Sequence, residues 1–312
     1  NWLVGRSELL GRVGSTFAPL SNIPLKIKSL RVLIEKFIGI DSRAVFPDFS
    51  RQTFRSWFNK SEMSQQVIGM RKVAYFHGCA ANYYEPRVAQ AAMEVLKRNS
   101  IKVVLPEQNC CGLPMQSNGD FESARALARA NVKSLAEWVR EGYAIVGHST
   151  SCTLALKHEY GSILGIDDEE AELVAKNTYD IFEYLQTLDD EGVLNTRFIQ
   201  REEKVLYHAP CQQRTHGFGR PAADFMRRFG FTVTESRADC CGVAGTYGLK
   251  TGKYEIAEAV GKNLFEQIAV VNPQRVVCDS ETCRWWIEAQ TGKKTVHPIE
   301  IMAEAYRGRR SN

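Results

Sequence analysis

The chain contains one cysteine pattern twice, and this duplication constrains its fold more than any other feature. The pattern consists of a Cys after an apolar run, a Cys-Cys-Gly triplet and a later Ser-x-x-Cys. Its cysteines are Cys79, Cys110, Cys111 and Cys152, and then Cys211, Cys240, Cys241 and Cys283. The corresponding landmarks lie 132, 130 and 131 residues apart. Such regular offsets predict two copies of one supersecondary unit.

Each copy alternates short apolar runs with helical patterns. In the first copy we predict strands at 73–77, 101–105 and 143–147, and helices at 86–99 and 120–140. In the second copy we predict strands at 204–208, 231–234 and 275–278, and helices at 221–229 and 253–268. This alternation favours an α/β fold with a short, mostly parallel sheet in each unit and flanking helices.

The cysteines follow the predicted strands, on what we expect to be connecting loops. In open α/β sheets, the loops at the carboxyl ends of the strands converge on a crevice where ligands bind. Cysteines that are far apart in the sequence are therefore expected to meet around one metal centre in each unit.

Cysteine chemistry favours metal ligation. The nine cysteines are an odd number, and a chain of 312 residues does not need disulfides to fold. Four thiolates per repeat are the usual ligand set of an iron–sulfur cluster. Zinc in at least one site is the alternative, but close CxxC knuckles are absent from the sequence. The third interpretation is that the thiols are small buried hydrophobes.

The basic residues are concentrated near the N-terminus. Residues 1–60 carry ten Lys and Arg against four Asp and Glu, whereas the remainder carries 30 against 32. The overall net charge of +4 is too small to indicate nucleic-acid binding. No apolar run is long enough to span a bilayer.

The N-terminal segment is predicted to contain a basic amphipathic helix. Ser21-Asn22 is expected to cap it, with Pro24 in its first turn. Its apolar stripe is Ile23, Ile27, Leu30, Ile34 and Phe37. Nearby aromatics that we expect to be exposed are Trp2, Phe17, Phe49, Phe54, Trp57 and Phe58. Such a segment suits an anionic membrane surface, or else packing on the protein's own core or on a partner protein.

The cysteine spacing resembles a known family. Cys79-x30-Cys110-Cys111-Gly112-x40-Cys152 and its second copy resemble the CCG cysteine-rich domain of the heterodisulfide reductases, found in their B-type subunits and relatives. Over nearly the whole chain, the motifs are similar to those of the cysteine-rich subunits of the anaerobic sn-glycerol-3-phosphate dehydrogenases. These motifs include NWLVGRSELLGRVGSTFAPL, FHGCAANYY, CCGLPMQSNG, CCGVAGTYGLK, DSETCRWWIE and VHPIEIMAEA.

The resemblance implies a protein that passes electrons from a flavin-containing dehydrogenase to membrane quinone. It also implies a peripheral location on the cytoplasmic face of the inner membrane. The implied cofactors are two 4Fe-4S clusters, cubane or noncubane, held by the eight repeated cysteines, with zinc as an alternative at one site. Subunits of this family normally begin with a ferredoxin-like domain, which is not part of this sequence.

We divide the chain accordingly into four parts. They are a basic amphipathic docking segment at 1–68, a first CCG domain at 69–165, an acidic connector at 166–203 and a second CCG domain at 204–312. Because motifs for binding a flavin or a nicotinamide are absent from the sequence, electrons are expected to come from another protein of the complex. The chain is thus either a non-catalytic or a quinone-reducing component of an oxidoreductase.

Two positions depart from the full CCG motif, which ends in CxxC. Ser149 and Ser280 stand where that motif has the first Cys of the pair. Cys278 is a candidate to supply a fifth thiolate in the second repeat, or else a buried cysteine at a strand end. The departures weaken a heterodisulfide reductase-like activity at a noncubane cluster, which stays open as an alternative function. A zinc-stabilised membrane adaptor is the second alternative.

Histidines and glycines near the cysteines have two interpretations each. His77, His148, His208 and His297 are candidates for a cluster ligand or a quinone hydrogen bond, although structural roles are favoured. The spacing of three glycines, Gly242, Gly245 and Gly248, is similar to part of a glycine-rich phosphate-binding loop. Because they follow a cysteine pair directly, we expect them to form a loop that wraps closely around a cluster.

Overall fold

The computed structural model describes residues 2–65 and 71–307. The N-terminal segment is helical, and its helices are α1 (Trp2–Gly5), α2 (Ser7–Thr16), α3 (Ile23–Lys26), α4 (Lys28–Ile38) and α5 (Phe54–Lys60). Two 3₁₀ turns, Leu20–Asn22 and Glu62–Gln65, accompany them. Among the described residues, no helix is both long and apolar enough to cross a membrane.

The first unit forms a four-stranded sheet with helices on both sides. Its elements are β1 (Arg71–Phe76), α6 (Gly78–Tyr83), α7 (Pro86–Arg98), β2 (Ile101–Val104), α8 (Leu113–Gln116), α9 (Phe121–Arg140), β3 (Ala144–Gly147), α10 (Thr150–Leu154), α11 (Tyr160–Ser162), α12 (Glu169–Lys176), β4 (Thr178–Asp180) and α13 (Ile181–Asp190). A π-helical turn, Ala155–Glu159, joins α10 to α11. The strand order is β2-β1-β3-β4, and every pairing is parallel.

The second unit repeats this arrangement. Its elements are β5 (Lys204–His208), α14 (Cys211–Thr215), α15 (Pro221–Arg228), β6 (Thr232–Glu235), a 3₁₀ turn (Tyr247–Leu249), α16 (Tyr254–Val271), β7 (Arg275–Cys278), α17 (Glu281–Thr291), β8 (Thr295–Val296) and α18 (Pro298–Arg307). The order β6-β5-β7-β8 matches the first sheet, again with parallel pairing throughout. The prediction of two tandem α/β units with short parallel sheets is therefore confirmed.

The two units share one hydrophobic cluster, to which each contributes helices that pack on the other unit. Helix α18 of the second unit packs on α7 of the first, and α13 of the first packs on α15 of the second. At this interface the buried Arg284 donates to Glu85 at 2.6 Å, pairing the two units through a desolvated ion pair. Burial of both partners makes this contact sensitive to the loss of either one.

The predicted connector at 166–203 supplies structure to the first unit. Strand β4 is the fourth strand of the first sheet, and Ile145 pairs with Thr178 across it. Helix α13 then begins with a capping box formed by Asp180 and Glu183. This stretch therefore closes one edge of the first sheet.

The N-terminal prediction was wrong in two details, because the single helix is divided in two and the predicted cap is not formed. Ile27 adopts an extended conformation between α3 and α4. Asn22 does not cap α3; its side-chain amide donates to the carbonyl of Phe49 and accepts from the Phe49 N–H instead. The long-range pairing with Phe49 thus holds the amide away from the helix start.

The expected exposure of the aromatics was also only partly right. Trp2 and Phe17 are exposed, whereas Phe54 and Phe58 are buried in the shared core. Phe54 contacts Tyr75 of β1 edge to face, with ring centroids 5.8 Å apart. Helix α5 therefore anchors the N-terminal segment to the first sheet rather than presenting aromatic side chains to solvent.

Residues 2–49, which we call the roof, contact both units. On the first unit, Gly11 in α2 lies against the ring of Tyr83, where a Cβ would come within 2.7 Å of ring carbons. On the second unit, Asp41 donates its N–H to the Leu249 carbonyl at 2.9 Å, and Thr251 donates to Gly39 at 3.0 Å. The roof thus bridges the two units by packing on one and pairing its backbone with the other.

Candidate metal centre

The repeated cysteines lie at the carboxyl ends of the strands in both units. The two Cys-Cys pairs are on loops, as predicted, but the other four cysteines are not. Cys79, Cys152, Cys211 and Cys283 lie in the first turns of α6, α10, α14 and α17. The free N–H groups and the positive dipole end of a helix start favour a thiolate over a thiol. At Cys79 and Cys211, hydrogen bonds with Cys110 and Cys240, together with burial, outweigh this effect and raise the pKa of the thiol.

In the first unit, the structure brings its four cysteines together. The Sγ atoms of Cys79 and Cys110 are 3.9 Å apart. Hydrogen bonds from Cys111 and Cys79 lower the pKa of Cys110 well below its usual range, since they stabilise its thiolate. Gly78 makes room for the fourth sulfur, because a Cβ there would lie 3.1 Å from the Sγ of Cys152.

The second unit repeats this grouping. The Sγ atoms of Cys241 and Cys283 are 2.9 Å apart. Hydrogen bonds from Cys211 and Cys241 lower the pKa of Cys240, and the N–H of Gly242 lies 3.2 Å from the Cys240 sulfur. Backbone N–H groups directed at sulfur are among the devices by which proteins hold and tune iron–sulfur clusters.

Cys278, the ninth cysteine, lies beside the second group. It is the last residue of β7 and is fully buried. Burial raises the pKa of its thiol, and a hydrogen bond with Cys283 raises it further. Its place behind Cys283 keeps both predicted roles open, as a fifth thiolate and as a strand-end cysteine.

Both groups of four cysteines line a single cavity of about 430 Å³. The roof lines this cavity as well, through side chains from α1 to Phe49. Within the described residues, no three His, Cys, Asp or Glu side chains converge as they would around one metal ion. The thiols instead form two groups, one from each unit, on the walls of the shared space.

The glycine of each Cys-Cys-Gly triplet has a backbone requirement. Gly112 has φ +89° and Gly242 has φ +97°. A Cβ on Gly112 would lie 3.3 Å from Ala124 of α9, and one on Gly242 would lie 2.0 Å from the carbonyl oxygen of Ala257 in α16. Each triplet therefore turns sharply against a long helix.

The serines that replace cysteine in the motif are buried. The Ser149 hydroxyl donates to the carboxylate of Glu281, at 3.1 Å to each oxygen. The Ser280 hydroxyl lies 3.4 Å from that of Thr282. Glu281 belongs to the second unit but approaches the first unit's cysteines, since it contributes to the raised pKa of Cys79.

Sequence reasoning missed two carboxylates beside the thiols. Glu8 of α2 accepts a hydrogen bond from the Cys110 N–H at 2.6 Å, and burial raises the pKa of this carboxyl group. Burial likewise raises the pKa of Glu281. Glu281 lies within the SETC motif at 280–283, so its position next to a motif cysteine could have drawn attention to it. No local signal marked Glu8, which is 102 residues from its partner.

The four candidate histidines are buried away from the cavity walls. Burial lowers the pKa of His77 to about 4 and that of His148 to about 3. Nδ1 of His148 pairs with the Tyr75 hydroxyl at 2.7 Å, and Nε2 of His297 donates to the His148 carbonyl at 3.0 Å. His208 lies 3.3 Å from the Ser236 hydroxyl. These contacts suit the structural interpretation.

The residues present fit iron–sulfur clusters. Each unit offers four free thiols of which at least two are buried, and the thiols adjoin a cavity that both units share. Thiolate donors with N–H groups nearby are the usual environment of such clusters. The cysteines that would hold them are the eight repeated ones, four from each unit.

Fold and site together define a protein with two cysteine-rich domains. The cysteine-rich CCG domain family matches this chain twice, at residues 73–157 and 205–288. The chain belongs to this family and, within it, to the cysteine-rich subunits of the anaerobic glycerol-3-phosphate dehydrogenases. It is 34% identical to the C-type subunit of the Escherichia coli anaerobic glycerol-3-phosphate dehydrogenase, over 98% of its own length and 76% of that protein. The resemblance stated from the motifs is therefore confirmed.

More distant relatives carry related names. The B-type subunit of the fumarate reductase (CoM/CoB) of Methanothermobacter marburgensis is 29% identical over 74% of this chain and 44% of that protein. A glycolate oxidase iron–sulfur subunit of Escherichia coli is 26% identical over 86% of this chain and 66% of its own length. Family membership supports an iron–sulfur component of an oxidoreductase.

Proposed function

We propose that this chain carries electrons between a flavin-containing dehydrogenase and membrane quinone through two 4Fe-4S clusters, cubane or noncubane. The observation that supports this most strongly is the shared cavity, because eight cysteines from two units line one space. Clusters bound there would supply one-electron redox chemistry. The similarity to part of a glycerol-3-phosphate dehydrogenase makes a dehydrogenase of that kind the proposed donor.

The protein's own residues set the conditions for this transfer. The cysteines hold the metal, and burial of Cys110, Cys111, Cys241 and Cys283 excludes water from the sulfurs. The buried Arg284 and the half-buried Glu281 would adjust the reduction potentials of clusters held there. In the net reaction, each quinone takes up two electrons from the dehydrogenase and two protons from water, and leaves as quinol.

Metal and sulfide analysis tests this proposal. The chain, purified anaerobically, is expected to contain about eight iron and eight sulfide, the content of two 4Fe-4S clusters. EPR signals are expected to change between oxidised and dithionite-reduced samples. Zinc without sulfide would contradict electron transfer and support the membrane adaptor instead. Reduction of a heterodisulfide by the isolated chain with a viologen donor would favour the reductase alternative.

The roof suits peripheral attachment to an anionic membrane, and the family resemblance makes the cytoplasmic face of the inner membrane the proposed location. Nine of the eighteen exposed large hydrophobic side chains in the described residues fall between Trp2 and Phe37. Lys26, Lys28 and Lys36 are exposed among them. Apolar side chains interspersed with basic ones are typical of helices that lie in a membrane interface.

Phe37→Glu is expected to weaken binding to anionic vesicles. Phe37 is 78% exposed on α4, so a carboxylate there removes an apolar anchor and adds repulsion. The expected loss is roughly tenfold in the partition coefficient, measured by vesicle flotation. Val270→Glu is the matched control, since Val270 is 86% exposed on α16, outside the roof. Equal losses for both variants would argue against docking through the roof.

A further inference from the structure

The inner side of the roof is apolar where it lines the cavity. Leu25 of α3, Ile34 and Ile38 of α4, and then Ile40 and Phe46 contribute to this wall. All five side chains are half-buried rather than fully enclosed. The cysteines line other parts of the same cavity, so an apolar surface and a redox-active one share the space.

The same two helices are apolar on their outer side as well. Leu33 and Phe37 are exposed, although each is the immediate neighbour of a cavity-lining isoleucine, Ile34 or Ile38. Successive residues of a helix point about 100° apart, so α4 presents apolar side chains both to the cavity and to the outside. One helix layer therefore separates the cavity from the surface that we propose to meet the bilayer.

The layer is interrupted between α3 and α4. Ile27 is extended and exposed at this junction, and it joins the four-residue α3 to α4. The backbone hydrogen-bond ladder of a helix is therefore missing here. The α3–α4 junction is therefore a break in the helix layer, which is the feature that an apolar chain needs in order to pass.

A hydrogen-bond donor lies on the roof side of the cavity. Arg31 of α4 lines the cavity and donates through one guanidinium nitrogen to the Ala44 carbonyl at 2.6 Å. A guanidinium carries five N–H groups, so it retains donors for a ligand carbonyl. A ligand with a flat apolar ring, carbonyl acceptors and a long apolar tail fits these features together.

We propose that the cavity between the roof and the cysteines binds the ring of an isoprenoid quinone, whose tail leaves through the α3–α4 junction into the bilayer. This rests on the proposed function, and it adds where the quinone binds and how it enters. The ring lies under α4 with a carbonyl toward Arg31. The roof is thus both the membrane anchor and one wall of the quinone site.

Binding of a quinone analogue tests the site directly. The probe is 2-heptyl-4-hydroxyquinoline N-oxide, whose fluorescence is quenched on binding, and it is titrated with the anaerobically purified iron–sulfur protein in solution. Ile34→Trp fills the space beneath α4 and is expected to weaken binding at least tenfold, a difference of about 1.4 kcal/mol. Leu33→Trp, one residue away on the outer side, is the matched control and is expected to bind as the unaltered protein does.

A second measurement needs no variant. Photolabelling of the unaltered protein with an azidoquinone, followed by peptide mass spectrometry, is expected to place the label within residues 23–49. If Ile34→Trp loses its cluster absorbance or unfolds, the photolabelling result alone tests the quinone site. Label found only outside the roof and the cavity would overturn the site.

A wrong quinone site and a wrong proposed function would give different experimental results. Oxidation of the dithionite-reduced protein by a soluble naphthoquinone tests quinone reduction itself. If that oxidation proceeds while Ile34→Trp binds the probe normally, the site is wrong and the function stands. If the reduced protein neither binds the probe nor is oxidised by the naphthoquinone, both proposals fall.

Discussion

Gly242→Ala is expected to destabilise the second unit by about 4 kcal/mol, through backbone strain and an unavoidable clash. With φ at +97°, an L side chain is strained whatever the space around it. The added Cβ would also lie 2.0 Å from the carbonyl oxygen of Ala257 and 2.8 Å from the nitrogen of Gly261. Both atoms belong to the backbone of α16, so a change of side-chain rotamer cannot relieve the clash.

Gly245→Ala is the matched control for this substitution. Gly245 also has a positive φ, +63°, but nothing lies within 4 Å of a Cβ built there. Its expected cost is about 1 kcal/mol, from backbone strain alone. Thermal unfolding followed by circular dichroism is expected to shift by roughly 10 °C for Gly242→Ala and by a few degrees for Gly245→Ala. Equal shifts would mean that the loop moves away from α16 freely.

Sequence patterns predicted the sheets well where strands are buried on both faces. Residues 73–76 of β1 are completely buried, so they read as a continuous apolar run. Two of the four edge strands, β4 and β8, escaped prediction because β4 has three residues and β8 has two. Such short segments carry too little periodicity to be distinguished from turns.

The cysteine groups were predictable, but the contacts around them were not. The spacing alone assigned each Cys-Cys-Gly triplet to the other two cysteines of its unit, because corresponding cysteines of the two copies lie 130 to 132 residues apart. The approach of Glu8 to Cys110 and of Glu281 to Ser149 depends on contacts more than 100 residues apart. The roof likewise could be identified as amphipathic, whereas its position over the cavity follows from long-range backbone pairing near Leu249.

Substitution of single cysteines is expected to remove one centre at a time. Cys111→Ser and Cys241→Ser alter equivalent positions of the two triplets, and both thiols are buried on the cavity wall. Because a cluster needs its thiolate set, each variant is expected to lose about half of its iron and sulfide. The EPR spectra of the two variants should add up to that of the unaltered protein.

The variant Cys278→Ala tests whether Cys278 is a ligand of the second metal centre or only a neighbour of its ligands. Cys278 is buried beside Cys283 but does not line the cavity that the other eight cysteines share. We therefore expect this variant to keep its full iron and sulfide content, although removal of the buried sulfur leaves a small cavity at the end of β7. If it loses as much iron as Cys241→Ser, then Cys278 is a fifth thiolate of the second centre. If Cys111→Ser and Cys241→Ser both retain all their iron, the proposed ligand sets are wrong.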